Sequence, residues 1–444
     1  MLQGPVGPFF WLLARHLRRQ GVQVWKINLN AGDTFYFPGP NARAYRGRPD
    51  GWPDYLRGQL QELEIDAVAL FGDSRAYHSA AIAVARAAGI PTFVFEEGYI
   101  RPDYITVELN GVNGHSALIA PRSRLSGSGA APAKGPALDP GSAVRVGNTF
   151  PALVLHCMVY WSAMDLGRLF YPHYRHHKPH SLAEIKPWLR SAYRKLRYAS
   201  RDKKAVAQLL RDRTPYFVVP LQVHRDSQIM RDCGFLSVGH FAVTVMESFA
   251  KRAPVDHVLV FKQHPMDRGF TDYTELVAKT AERLGCAGRV IYIRDANLPE
   301  LLQNASGTIT ANSTVGLSSL YHGTPVKVLG RAVYDRPGLT VQLPLSRFWT
   351  DHAPVDRQRV RAFMSEVIAT CQANGSFYSG WKQTVVFEAA VGHMAAQYVS
   401  KHLGAIGAPQ RPKRPTKAEN SGIVTGAPPR GRRSGQAQRA REVK

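Results

Sequence analysis

Four short apolar runs in this chain each end in groups that can move protons or hold a phosphate. FVFEEGYIRPDY leads Thr92–Phe95 into Glu96, Glu97 and Gly98. A carboxylate at a strand end can act as a general acid or base, or as a nucleophile. It can equally sit on an ordinary exposed turn. Neighbouring strand residues point to opposite faces, so at most one of the pair is expected to face a cleft. PLQVHRDSQI follows the Tyr216–Val219 run with Gln222, His224, Arg225, Asp226, Ser227 and Gln228. So many polar groups at one strand end are costly to place unless they meet water or a ligand. Asp226 reads either as a functional carboxylate or as a helix N-cap. VLVFKQHP presents Lys262, Gln263 and His264, and Pro265 stops the strand. Lysine and histidine together suit a phosphate. ITANSTVG delivers Asn312, Ser313 and Thr314 at a strand-to-helix turn. Free N–H groups and hydroxyls there either receive a phosphate or simply cap the helix.

Three further turns are candidates for the other wall of the same crevice. LQGPVGPFF supplies Gln3, Gly4 and Gly7, facing the crevice if a strand ends at Leu2. NLNAGD places Asp33, and FGDSRAYH places Asp73, Ser74 and Arg75 after a strand. None of these is a dinucleotide or P-loop fingerprint. The segment YPHYRHHKPH holds His173, His176, His177 and His180. It has no cysteine or carboxylate at ligand spacing, so no metal site is expected.

The elements that must position these groups alternate between strand and helix. FFWLLARHLRRQ reads as a helix, GVQVWKINL and DAVALFGD as strands, HSAAIAVARAAG as a helix and IPTFVFEEG as a strand. Repeated units of this size imply a parallel sheet covered by helices. A low-complexity stretch, 121–147, and a basic helical segment, 150–213, follow. Strand–helix alternation restarts at Pro215, and residues 358–403 read as a final helical stretch. The expected architecture is α/β and GT-B-like. It has two Rossmann-like halves, 1–213 and 214–403, facing across a cleft, and a disordered basic tail, 404–444. In such sheets ligands bind at the carboxyl ends of the strands, where every motif above falls.

Composition narrows the partners. The 444 residues carry 57 Lys+Arg against 33 Asp+Glu, a net charge of +24. That excess points to an anionic partner: nucleic acid, acidic lipid or a phosphorylated substrate. Between Asp165 and Arg213 there are 13 Lys/Arg, 4 Asp/Glu and several aromatic residues; between Gln410 and Lys444 there are 10 and 2. The tail has no aromatic residues for base stacking, and no nucleic-acid motif is present, so nucleic acid is not expected. It reads either as a solvated tail or as a tether to anionic lipid. No apolar run reaches the length that spans a bilayer. The first residues make a poor signal peptide, and Cys157, Cys233, Cys286 and Cys371 lack metal or redox spacing. A soluble protein of a reducing compartment is expected.

Taken together, LQGPVGPFF, KINLNAGD, FGDSRAYH, FEEGYIRPDYIT, PLQVHRDSQI, FKQHP and NSTVGLSSLYHGTPVKVLG resemble capsule polysaccharide biosynthesis and export proteins of the KpsS/LipB type. The resemblance covers roughly 1–120 and 215–345. It implies a glycosyltransferase that moves β-Kdo from CMP-Kdo to a lysophosphatidylglycerol acceptor, starting the lipid linker of a Gram-negative capsule. It implies a cytoplasmic protein, peripheral on the inner membrane, with other capsule synthesis and export proteins as candidate partners and with no metal or other cofactor. Similarity to bacterial CMP-sugar sialyltransferases assigns Glu96, Glu97 and Gly98 to an acid–acid–Gly motif. His264 with Pro265, and Ser313 with Thr314, would hold the CMP phosphate. Lys262, Gln263, Asn312, Gln222 and Gln228 complete the expected donor side. Gln3, Gly4, Gly7, Asp33, Asp73, Ser74 and Arg75 make up the acceptor side. A β-linked product from a β-configured donor means retention, most simply through a carboxylate adduct. Asp226 is the expected nucleophile and Glu97 the acid/base, with Glu96 as its alternative. The competing reading is a non-enzymatic component of an export assembly that binds anionic glycolipid.

Overall fold

The computed structural model describes residues 1–119, 143–174, 181–224, 233–378 and 383–403, all within one compact unit, Met1–Gly404. The basic tail, most of the low-complexity stretch, His176, His177, His180, and Arg225, Asp226, Ser227 and Gln228 lie outside the described residues. In chain order the first half contains α1 (Phe9–Arg19), β1 (Lys26–Asn28), α2 (Ala31–Tyr36), β2 (Ala42–Ala44), α3 (Trp52–Glu62), β3 (Val68–Phe71), α4 (Ala76–Ala87), β4 (Thr92–Glu97) and β5 (Tyr104–Leu109). Helices α5 (Phe150–Leu166) and α6 (Ser181–Arg211) follow. The second half contains β6 (Tyr216–Pro220), α7 (Val238–Arg252), β7 (Val258–Lys262), α8 (Thr274–Arg283), β8 (Val290–Ile293), α9 (Leu298–Gln303), β9 (Gly307–Thr310), α10 (Val315–His322), β10 (Val326–Val328), α11 (Leu345–Phe348) and α12 (Arg357–Cys371). The chain ends its described part with β11 (Gln372–Asn374) and α13 (Gln383–Leu403).

The second half matches the expectation closely. Its sheet has the order β10-β9-β6-β7-β8, and every pair in it is parallel. Strands β6 and β7 are apolar throughout their middles and β9 is buried along its length, with Thr308 paired to Ser319, as a sheet covered on both faces requires. One face packs on α7 and α8 through Phe241, Val245, Phe249 and Val277. The other packs on α6 and α9 through Val206, Leu209, Leu301 and Leu302. The start of α7 is fixed by Ser237, whose hydroxyl accepts the His240 N–H at 3.0 Å; such a cap is worth about 1 kcal/mol. Strand order reverses between β6 and β9. Ligands of open α/β sheets bind outside the strand ends at such a reversal.

The first half departs from a purely parallel sheet. Its order is β11-β5-β4-β3; β3 and β4 are parallel, but β5 runs antiparallel to both β4 and β11. The EEG turn therefore opens a hairpin, with Glu97 opposite Ile105. Gly98 is required there, because a Cβ would collide with the Tyr104 carbonyl. Residues Met1–Gln3 run extended between β1 and β3: Leu2 N–H donates to Ala69 O, Phe71 N–H to Gln3 O and Ile27 N–H to Met1 O.

The second correction concerns the boundary. The expected helical stretch 358–403 is interrupted by β11, which returns the chain to the first half's sheet. Gln372 secures it: its amide donates to Thr106 Oγ1 at 2.9 Å and its carbonyl accepts Tyr99 N–H at 2.9 Å. Val386, Phe387 and Ala390 of α13 then pack with Phe9, Phe93 and Phe95. Residues after α12 thus complete the first half rather than the second.

The two halves share a core in which Tyr99, Ile100, Tyr104 and Leu118 meet Leu317, Leu320, Val326, Phe363 and Val367. Beneath Tyr99 lies Glu108, 4% exposed. It accepts hydrogen bonds from Tyr99 Oη at 2.6 Å and Ser116 Oγ at 2.5 Å. Burial pushes its pKa up to about 7 against those bonds. That folded-state value lies above the 4.5 of a free glutamate. The stability Glu108 contributes is therefore complete below pH 4.5 and lost as the pH rises through about 7, on the order of 3 kcal/mol. The urea midpoint is expected to fall between pH 5 and pH 8. Glu108→Gln should remove most of Glu108's share of that fall. An unchanged pH dependence in the variant would remove Glu108 as its source.

Candidate functional site

On the second half, the ends of β6, β7 and β9 bring three of the motifs together. At the order reversal, Gln222 Nε2 donates to Asn312 Oδ1 at 2.8 Å. Asn312 Nδ2 is buried and has no hydrogen-bond partner among the described residues. Ser313 Oγ accepts Val315 N–H at 3.2 Å, and Tyr334 Oη donates to Ser313 O at 2.5 Å. The hydroxyl of Ser313 thus caps α10, one of the two roles open from the sequence, and keeps its own proton to donate. Thr314 lines a narrow pocket between the halves with Asn312, Leu317 and Tyr334, opposite Tyr99 and Asn113.

His264 stands at the end of β7. Its Nδ1 accepts Met266 N–H at 3.2 Å, which leaves Nε2 as the N–H donor. Burial, then the positive charges of Lys262 and Arg101, push its pKa down to about 4, so the ring is neutral at pH 7. Lys262 is 7% exposed, and burial draws its pKa down to about 8 against the pull of Asp295. The amide nitrogen of Gln263 is taken up by its own turn, while its buried Oε1 has no hydrogen-bond partner among the described residues. Nε2 donates to Thr271 O at 2.7 Å and Asp267 O at 3.4 Å, and Gln263 is 1% exposed. Its amide shapes the turn after Pro265. His224, at the last described position before Arg225, is anchored on Asp267: Nδ1 lies 2.5 Å from Oδ1, and the ring stacks on Phe270.

On the first half, β3 and β4 end side by side. Glu96 Oε1 accepts the Glu97 N–H at 3.0 Å. Its other carboxylate oxygen lies beside Gly72, where a Cβ would stand 3.4 Å away. Burial pushes its pKa up to about 7, with the charge of Glu97 adding and Arg75 and Arg101 opposing. Glu97 turns elsewhere: Tyr378 Oη donates to its Oε1 at 3.4 Å. The two neighbours therefore have different surroundings, as strand alternation requires. Arg75 is held by Gln3, whose Oε1 accepts Arg75 Nη1 at 2.8 Å. Gln3 Nε2 donates to Tyr160 Oη at 2.8 Å and Tyr174 Oη at 3.0 Å. Gly4 lies against the ring of Phe10, and Gly7, at φ +109°, lies against His156.

Two expected acceptor-side carboxylates are framework groups. Asp33 accepts from Tyr160 Oη at 2.8 Å and Leu29 N at 2.9 Å, and is 5% exposed. Asp73 accepts from Val112 N at 3.1 Å and lies 3.0 Å from His115 Nδ1. Asp33 thus ties its loop to α5, and Asp73 ties the turn after β3 to the segment after β5. Ser74 sits between Asp73 and the start of α4.

Arg101 was not singled out from the sequence. It is exposed, its Nε donates to Gly98 O at 3.2 Å, and its charge acts on both Glu96 and His264. Its only sequence signal is being the first charged residue after the EEG turn.

These features define a two-sided polar site at strand ends, and the chain belongs to the capsule polysaccharide biosynthesis protein family, whose pattern matches residues 66–378. It is 38% identical over 384 residues to the capsule polysaccharide modification protein LipB of Neisseria meningitidis, covering 85% of this chain and 91% of LipB. It is 36% identical over 385 residues to the capsule polysaccharide export protein KpsS of Escherichia coli, covering 85% and 96%. Among solved structures it aligns with Thermosulfurimonas dismutans KpsC, beta Kdo 2,7 transferase, at 14% identity and a TM-score of 0.36, over 83% of this chain and 88% of that one.

Proposed function

We propose that this protein is a retaining glycosyltransferase that moves β-Kdo from CMP-Kdo to the hydroxyl of a lysophosphatidylglycerol acceptor. The observation that carries the reading is the pocket in which Asn312 and Thr314, at the end of β9, face Tyr99 and Asn113 of the other half.

Departure of CMP leaves negative charge on a phosphate. His264 Nε2–H, Lys262 and the N-terminus of α10 supply donors and positive charge there. Asn312 Nδ2, buried without a partner among the described residues, supplies a further donor. The sugar's anomeric carbon becomes oxocarbenium-like as its bond to the phosphate oxygen breaks. Asp226 is proposed to attack that carbon and form a glycosyl ester, releasing CMP. Its support is its position two residues after the anchored His224. The acceptor hydroxyl then attacks the same carbon, the ester bond breaks, and Glu96 takes the hydroxyl proton. What favours Glu96 over Glu97 is a pKa near 7, which suits a base at neutral pH.

The direct test is incubation of the full chain with CMP-Kdo and a synthetic lysophosphatidylglycerol. CMP release together with a product heavier by one Kdo unit is expected. A protein that binds the glycolipid but releases no CMP would overturn the enzyme reading. His264→Ala is expected to lower kcat/KM for CMP-Kdo about 10²-fold, as loss of one preorganised donor does. His264→Asn, which keeps an N–H, should recover part of it. Equal losses in both variants would show that the ring's donor is not what matters.

A further inference from the structure

We propose that the outer face of α5 and α6 is a docking surface for an anionic lipid bilayer. The proposal starts from α5. Its sequence, FPALVLHCMVYWSAMDL, has one acidic residue, Asp165, and no lysine or arginine. A helix apolar all round belongs in a core or a membrane environment. Here only one side is covered, through Cys157, Tyr160 and Trp161. Leu155, Met158 and Leu166, at helical spacing on the opposite side, are 60%, 58% and 84% exposed. The turn that follows adds Leu169 and Phe170, 90% and 64% exposed. Nine of the sixteen large apolar side chains that are exposed among the described residues lie between Phe150 and Leu196. That concentration separates this surface from scattered exposed leucines, which need no explanation.

Helix α6 supplies the charge. Leu189, Tyr193 and Leu196 form an exposed apolar stripe at i, i+4 and i+7. Between Lys186 and Lys204 seven lysines and arginines are exposed, while the one acidic residue of that stretch, Asp202, is 1% exposed. Arg201 pairs with Asp202, which still leaves the stretch with an excess of positive charge, and an apolar stripe edged by such an excess fits a lipid interface. The basic groups meet the headgroup phosphates while the leucines enter the acyl boundary. The two helices adjoin, with the Phe150 and Trp188 rings 6.3 Å apart.

The surface lies close to the site. Tyr160, on the inner side of α5, donates to Asp33 and accepts from Gln3, and Gln3 holds Arg75 beside Glu96. The lipid nature of the acceptor rests on the function proposed above; the docking face does not.

Vesicle flotation of the full chain tests the proposal. Binding to vesicles of mixed phosphatidylcholine and phosphatidylglycerol is expected, with little binding to phosphatidylcholine alone and weakening as salt rises. Leu155→Glu with Met158→Glu should reduce binding about tenfold or more, as should Lys195→Glu with Arg197→Glu. All four positions are exposed, so the thermal unfolding temperature should not move. If the α5 variant unfolds, Leu169→Glu with Phe170→Glu carries the test. The proposal is overturned if these variants float like the unaltered chain, if neutral vesicles bind equally well, or if deleting 405–444 alone abolishes binding. It is equally overturned if the face retains a protein but no vesicle. Flotation needs no turnover: a chain that floats as expected but makes no Kdo product supports this surface and refutes the transferase.

Discussion

Glu96→Gln is expected to lower transfer to the lysolipid about 10²–10⁴-fold while still releasing one equivalent of CMP per protein molecule. Glutamine keeps the oxygen that accepts the Glu97 N–H, so the turn should fold unchanged. It cannot take a proton, so the step that needs one stops. The glycosyl adduct then accumulates, visible as intact protein heavier by one Kdo unit. The pH profile supplies a second reading. With a pKa of about 7, Glu96 is protonated and idle below that pH and ionised above it. Acceptor-dependent turnover should therefore rise through about pH 7, and the rise should be missing from the variant. If Glu97→Gln shows this behaviour and Glu96→Gln transfers normally, the proton belongs to the other carboxylate.

Asp226→Asn is expected to have the larger effect, on the order of 10⁴-fold or more, and of a different kind. An asparagine cannot form the ester, so the initial equivalent of CMP should also disappear, with CMP-Kdo binding nearly intact. The two variants thus split the reaction at its midpoint. A normal CMP burst from Asp226→Asn would exclude it as the nucleophile. Loss of binding as well as turnover would mean that its role is to hold the donor.

What could be read from the sequence follows from how locally each feature is determined. FVFEEG, VLVFKQHP and TITANS are apolar runs that end abruptly in polar groups, and each is a strand with its motif at the carboxyl end. The parallel half was legible because each strand and its helix are adjacent in the chain. The hairpin into β5 was not, since YITVEL after a glycine turn reads the same whichever way the strand runs. Strand β11 has only three residues, and Gln372 makes it a strand through Thr106 and Tyr99, 266 and 273 residues away. Among the polar residues, Asp33, Asp73 and the amide nitrogen of Gln263 look like ligand groups in sequence but are engaged by protein partners: Asp33 by Leu29 and Tyr160, Asp73 by Val112 and His115, Gln263 by Thr271 and Asp267. Capping and ligand binding ask for the same side chains, so only the partners decide between them. Arg101 carries no local mark because its role depends on two halves meeting.

The return of the chain through β11 has a consequence for biosynthesis. The amino-terminal sheet needs Gln372–Asn374 as its outer strand, and Val386, Phe387 and Ala390 to cover Phe9, Phe93 and Phe95. Those residues are made after the whole of the parallel sheet. On the ribosome, the half synthesised first waits with an open edge and an uncovered aromatic face while the half synthesised second closes. Its completion is tied to one long-range pairing, the kind that closes slowly.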